Sequence, residues 1–114
     1  MESNSTKYEI VIGKKTEGEL QRPLVCGHAF LHEGETYYTI KLMIFPGQSY
    51  YLTKKRDSQA SYTVFSKLVR TESGVKFQNP VGNGRLSADL ATHLEIYFPV
   101  LRSQMFMCLF PVNA

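Results

Sequence analysis

The strongest pattern in the chain is a two-residue alternation that begins at Thr36 and runs to Phe45. Tyr38, Ile40, Leu42 and Ile44 share one side of an extended backbone, and Tyr37, Thr39 and Lys41 share the other. Side chains leave a strand on alternate faces, so this spacing predicts a strand with one buried and one wet face. Pro46-Gly47 ends it as a turn. Ser49 to Lys55 repeats the rhythm with Tyr50 and Leu52 inward and Tyr51, Thr53 and Lys55 outward. Between Ser61 and Val69 the same spacing assigns Tyr62, Val64 and Leu68 inward and Thr63, Phe65 and Lys67 outward.

Weaker versions of the pattern flank this centre. Tyr8 to Ile12 predicts a first strand closed by Gly13, and Lys14 to Arg22 is polar enough to serve as a connection. Leu24 to His32 predicts a second strand, joined to the Thr36 strand by a hairpin turn at Gly34. Thr71 to Gly74 signals a turn, Val75 to Gln78 a short strand, and Asn79-Pro80 with Gly82-Asn83-Gly84 a loop. Leu94, Ile96 and Phe98 return to period two. A last strand, Gln104 to Phe110, is apolar on both faces. The single helical candidate is Leu86 to Thr92, where Leu86, Leu90 and Leu94 recur every four residues and Ser87 offers a cap.

These elements predict an all-β fold with one short helix, about seven or eight strands in a small antiparallel β-barrel (OB-like) or a β-sandwich. No linker, repeat or low-complexity stretch divides the chain, so residues 8–114 are expected to form a single β domain behind a disordered tail at 1–7. The 114 residues are 43% hydrophobic and 20% charged, which supports a core without staples. Seven Tyr and seven Phe agree with a β composition. The start of the chain lacks an apolar signal core and no apolar run reaches membrane-spanning length, so the expected location is cytoplasmic.

Chemistry is sparse. No P-loop, dinucleotide fingerprint, nucleophile elbow or zinc-protease helix is present, so no catalytic residue and no cofactor are assigned. Ser87, Asp89 and His93 lie close in sequence, but on a helix Asp89 and His93 would be neighbours at i, i+4 and read as a surface polar pair rather than half of a triad. Cys26 and Cys108 lack CxxC spacing and read as small buried thiols. Cys26, His28 and His32 share strand parity, yet an extended backbone spreads them over roughly 20 Å, too far for one ion, and no metal site is assigned.

What remains is a triplet on consecutive strands: Tyr37-x-Thr39-x-Lys41, Tyr51-x-Thr53-x-Lys55 and, more loosely, Thr63-x-Phe65-x-Lys67. From Lys41 to Arg70 the chain carries six basic residues against Asp57 alone, a local excess above the overall net charge of +3. Rings that stack bases beside amines that neutralise phosphates are the means by which sheets hold single strands. The expected function is therefore a non-catalytic binding module for single-stranded DNA or RNA, using Tyr37, Lys41, Tyr51, Lys54, Lys55, Arg56, Phe65 and Lys67. The alternative is a protein-interaction domain that forms a homodimer through Met105, Phe106 and Met107 of the two-sided apolar strand.

Overall fold

Each alternating segment forms a strand, and the strands pair in chain order. The computed structural model describes residues 5–55, 61–88 and 92–112. The strands are β1 (Ser5–Thr16), β2 (Glu19–His32), β3 (Tyr38–Leu42), β4 (Ser49–Lys54), β5 (Ser61–Thr71), β6 (Gly74–Leu86), β7 (His93–Phe98) and β8 (Ser103–Cys108). Every neighbouring pair is antiparallel, and β1 returns to β8 to close a barrel. The architecture is thus the barrel rather than the sandwich, wound as a sequential meander instead of the five-stranded Greek key of an OB-fold. The described residues contain no helix, and so none long and apolar enough to cross a membrane. Of the helical candidate, Leu86 ends β6 and residues 89–91 lie outside the described residues.

Most residues the alternation turned inward fill the interior, but Ile44, assigned inward, is 62% exposed on the turn after β3, and Leu68, also assigned inward, lies opposite Phe77 in the β5–β6 hairpin outside the buried cluster. Ile10, Ala29, Ile40, Leu42, Leu52, Val64, Leu94, Ile96, Phe98, Met105 and Met107 form one buried cluster, with Tyr8, Tyr38, Tyr50 and Tyr62 packed against it. Eight strands enclose a centre narrow enough for side chains to fill, and this cluster occupies it.

Two features escaped the alternation. Val11 pairs with Val25 while Ile10 pairs with Gly27, so Cys26 is the extra residue of a β-bulge. The bulge turns the half-buried Cys26 toward the core, whereas His28 and His32 keep the outward parity. Burial pushes the Cys26 thiol pKa up, against a smaller opposing backbone hydrogen bond. The expectation that Cys26, His28 and His32 share a face is therefore corrected. Gly82 and Gly84, expected in a loop, lie inside β6, where a Cβ on Gly82 would stand 2.5 Å from the Tyr97 carbonyl oxygen. Glycine there lets two backbones approach at a barrel bend.

The ends of the chain are also more ordered than the pattern implied. Ser5, Thr6 and Lys7 pair with His32, Leu31 and Phe30, which shortens the tail expected over 1–7; residues 1–4 lie outside the described residues. Lys14 to Arg22 is no connection but the far half of a hairpin turning at Glu17-Gly18, both with positive φ (51° and 79°), as a two-residue I′-type turn requires.

Two hairpins outrun the barrel. β1 and β2 are 12 and 14 residues long and β5 and β6 are 11 and 13, against 5 and 6 for β3 and β4. The β1–β2 arm covers the outer wall at β7 and β8. Phe106, opposite in parity to Met105 and Met107, packs outside the barrel with Val11, Leu20 and Val25. Beside it Glu95 is buried, its carboxylate accepting from Lys15 Nζ at 2.6 Å and Arg85 Nε at 3.2 Å. Burial pushes the Glu95 carboxyl up, but hydrogen bonds from Lys15, Ser87 and Arg85 and the Lys15 charge outweigh it and hold the group below its ordinary value. The ring closes on a narrow seam, Ile10 opposite Met107 and Val11 opposite Phe106, extended where the Val112 N–H donates to the Lys7 carbonyl at 2.7 Å.

Candidate nucleic-acid interface

The register of the strands assembles one row of side chains across the outer wall. Lys7 faces Phe30, Phe30 faces Thr39, Thr39 faces Tyr51, Tyr51 faces Phe65, and Phe65 faces Pro80. Directly opposed residues share a face. The sequence neighbours Ala29, Ile40, Leu52 and Val64 are all buried inside, so this row points outward. Beside it runs a second row, Glu9, His28, Lys41 and Ser49, in which Lys41 Nζ donates to Ser49 Oγ at 2.5 Å.

Tyr51 and Phe65 are therefore cross-strand neighbours on the outer face, as the alternation predicts, and both are half-buried. Tyr37 joins them, with its ring centroid 6.2 Å from that of Tyr51. Phe77 of the β5–β6 arm completes the cluster. It meets Tyr37 edge-on at 5.2 Å, lies 6.2 Å from Tyr51 and stacks on Phe65 at 5.7 Å with 27° between the planes.

Tyr37 is not an open platform. It is only 5% exposed, and its hydroxyl donates to Glu35 Oε2 at 2.8 Å with the Arg70 guanidinium close by. Burial pushes the phenol pKa up, the Glu35 hydrogen bond and charge add to that, and Arg70 opposes it. The ring fixes its neighbours in place, and its faces are spent on Tyr51 and Phe77 rather than left for a ligand.

The cations divide. Lys41 and Lys67 are exposed on the outer wall, Lys67 opposite Gln78 on the arm. Lys54 has the inward parity of Leu52 and pairs with Tyr62, so it leaves the barrel at the rim. Lys55 is exposed just past β4, its N–H bonded to the Ser61 carbonyl, and Arg56 lies outside the described residues.

Two aromatic members were missed by the reading of the sequence. Phe30 sits two residues from both His28 and His32, its ring 6.4 Å from each and almost parallel (7°) to that of His32. Its shared parity with the two histidines was the available signal. Phe77 had none, because Asn79 at φ 60° and a register shift between Val64 and Phe65 break the alternation of β6.

The other candidates do not gather. His93 Nδ1 lies 2.8 Å from Thr92 Oγ1, and burial lowers the pKa of its ring. The Ser87 hydroxyl serves Glu95, and Asp89 lies outside the described residues. No group of three or more His, Cys, Asp or Glu side chains among the described residues is placed to hold a metal ion. Met105, Phe106 and Met107 are 3%, 2% and 0% exposed within the single chain, so the two-sided apolar strand is covered by the barrel interior and the β1–β2 arm and presents no face to a second copy. No family model matches the chain, and no curated protein or solved structure is detectably similar to it, so the reading of this wall rests on its own geometry.

Proposed function

We propose that the protein is a non-catalytic binding module that holds single-stranded nucleic acid along the outer wall of β2 to β5. The observation that carries this reading is the unbroken outward row of Lys7, Phe30, Thr39, Tyr51 and Phe65, with Lys41 and Lys67 exposed beside it. Phe30, Tyr51 and Phe65 supply ring surface for bases, and the lysines neutralise phosphates. Tyr37 holds Tyr51 and Phe77 in place from beneath. Because sequence enters only through stacking, the preference among bases is weak.

Fluorescence anisotropy with labelled single-stranded oligonucleotides tests this directly. Affinity falls steeply with salt as counterions cease to be released. Tyr51→Ala weakens binding by about 1–3 kcal/mol, the usual cost of a lost base–ring stack. Tyr37→Phe leaves binding nearly unchanged. Absence of binding by the wild-type chain at low salt refutes the proposal.

A further inference from the structure

At the barrel end where β3 passes into β4 and β7 into β8, two turns carry apolar side chains that the described residues leave uncovered. Met43, Ile44 and Phe45 are 57%, 62% and 37% exposed on the first turn, and Val100 is 88% exposed on the second. The two turns meet, since Phe45, Val100 and Leu101 line one apolar cleft of about 160 Å³ with Tyr50, Val81 and Phe98. Tyr50, Val81 and Phe98 also pack in or against the buried core, so the cleft lies directly on the end of the barrel.

Two further observations bear on what covers it. The turn backbones largely satisfy themselves: Met43 N–H donates to Cys26, Phe45 to Leu42, Gln48 to Phe45, Leu101 to Phe98 and Arg102 to Pro99. Pro46 and Pro99 have no N–H to satisfy. Turns built this way enter a medium of low polarity with few orphaned amides. The second observation is charge. The two turns and the strands that flank them carry a single acid, Glu95 of β7, which is buried and paired with Lys15 and Arg85, while exposed Lys41 and Arg102 flank the apolar tips.

We propose that this end of the barrel docks on the surface of an anionic lipid bilayer. Ile44, Phe45 and Val100 enter the boundary between headgroups and acyl chains, and Lys41 and Arg102 meet headgroup phosphates. Apolar side chains exposed on two separate turns suit a deformable medium, whereas a protein partner would have to present a surface matched to both turns. The apolar tips lie on turns outside the Lys7 to Phe65 row and share only Lys41 with the oligonucleotide wall, so the Ile44 and Val100 variants test lipid docking separately from oligonucleotide binding.

The chain has no Trp, so Ile44→Trp installs a single reporter at the tip. With vesicles of phosphatidylcholine containing about one third phosphatidylserine, its emission shifts to the blue and brominated lipid quenches it; vesicles of phosphatidylcholine alone give much less, and added salt weakens the effect. The paired substitution Ile44→Asp with Val100→Asp lowers vesicle co-sedimentation of the otherwise wild-type chain at least about tenfold, with circular dichroism confirming the fold. Unchanged Trp emission at low salt overturns the proposal, as does undiminished sedimentation of the double variant. So does a concentration-dependent dimer that the same double variant abolishes, which would give the patch to a second copy.

Discussion

Replacing Glu95 by Gln removes one negative charge from beneath the β1–β2 arm with little change of shape. The carboxylate is 5% exposed, Lys15 is 29% exposed and Arg85 73% exposed. Breaking a fully buried ion pair costs about 3–5 kcal/mol, because the orphaned partner stays buried. Here Arg85 relaxes into water at little cost and Lys15 does so in part, which reduces the expected loss to about 2 kcal/mol. For a chain of this length that corresponds to a fall in Tm of roughly 6–10 °C. The pH dependence carries a definite sign. The folded carboxyl is held below its ordinary value of 4.5, so the unfolded chain takes up the proton first as pH drops. The stabilisation is complete above that value and is lost as pH falls through the lower folded one. Thermal unfolding of wild type and Glu95→Gln, followed by circular dichroism, therefore shows a constant gap near neutral pH that closes in acid. Hydrogen exchange adds the location: amides of residues 13–22 lose protection in the variant before those of β3 to β5. Equal melting temperatures near neutral pH, or unchanged protection of the arm, refute the role of Glu95 as the clamp.

The tight strand crossings and the covered outer face give two further expectations. Gly82→Ala places a methyl group against the Tyr97 carbonyl at 2.5 Å and lowers stability to urea by about 2–3 kcal/mol, whereas Gly47→Ala, with nothing within 4 Å of the new Cβ, leaves it within about 0.5 kcal/mol. Phe106→Asp buries a carboxylate under the arm directly opposite Glu95, so it removes at least about 3 kcal/mol and lowers Tm sharply, with no accompanying dimer-to-monomer change in light scattering.

The alternation was most informative where both strands of a pair are short and regular. Tyr38, Ile40, Leu42, Tyr50, Leu52, Tyr62 and Val64 all face the core as their spacing implies, and Tyr51 and Phe65 meet outside. It failed where an extra residue or a left-handed residue reset the parity. One bulge sends Cys26 inward and another hides Phe77, since period two carries no record of such a slip. It failed again in the arms. There Leu20 is the one large aliphatic residue between Gly13 and Arg22, and it packs only partly buried against the outside of the barrel, so no alternation marks the hairpin. The covering of Tyr37 was illegible for a different reason, in that its lid is Phe77, forty positions away.

The seam between the first and last strands governs how the ring is made. Every other strand pairing joins neighbours in sequence, which meet early at small entropic cost, whereas β1 and β8 find each other only when nearly the whole chain has been gathered. Until then the molecule is a curled ribbon with two bare margins. In crowded refolding the margin of another ribbon competes with its own, so dilution favours the intact hoop, and a crosslink spanning Ile10 and Met107 would serve as its latch.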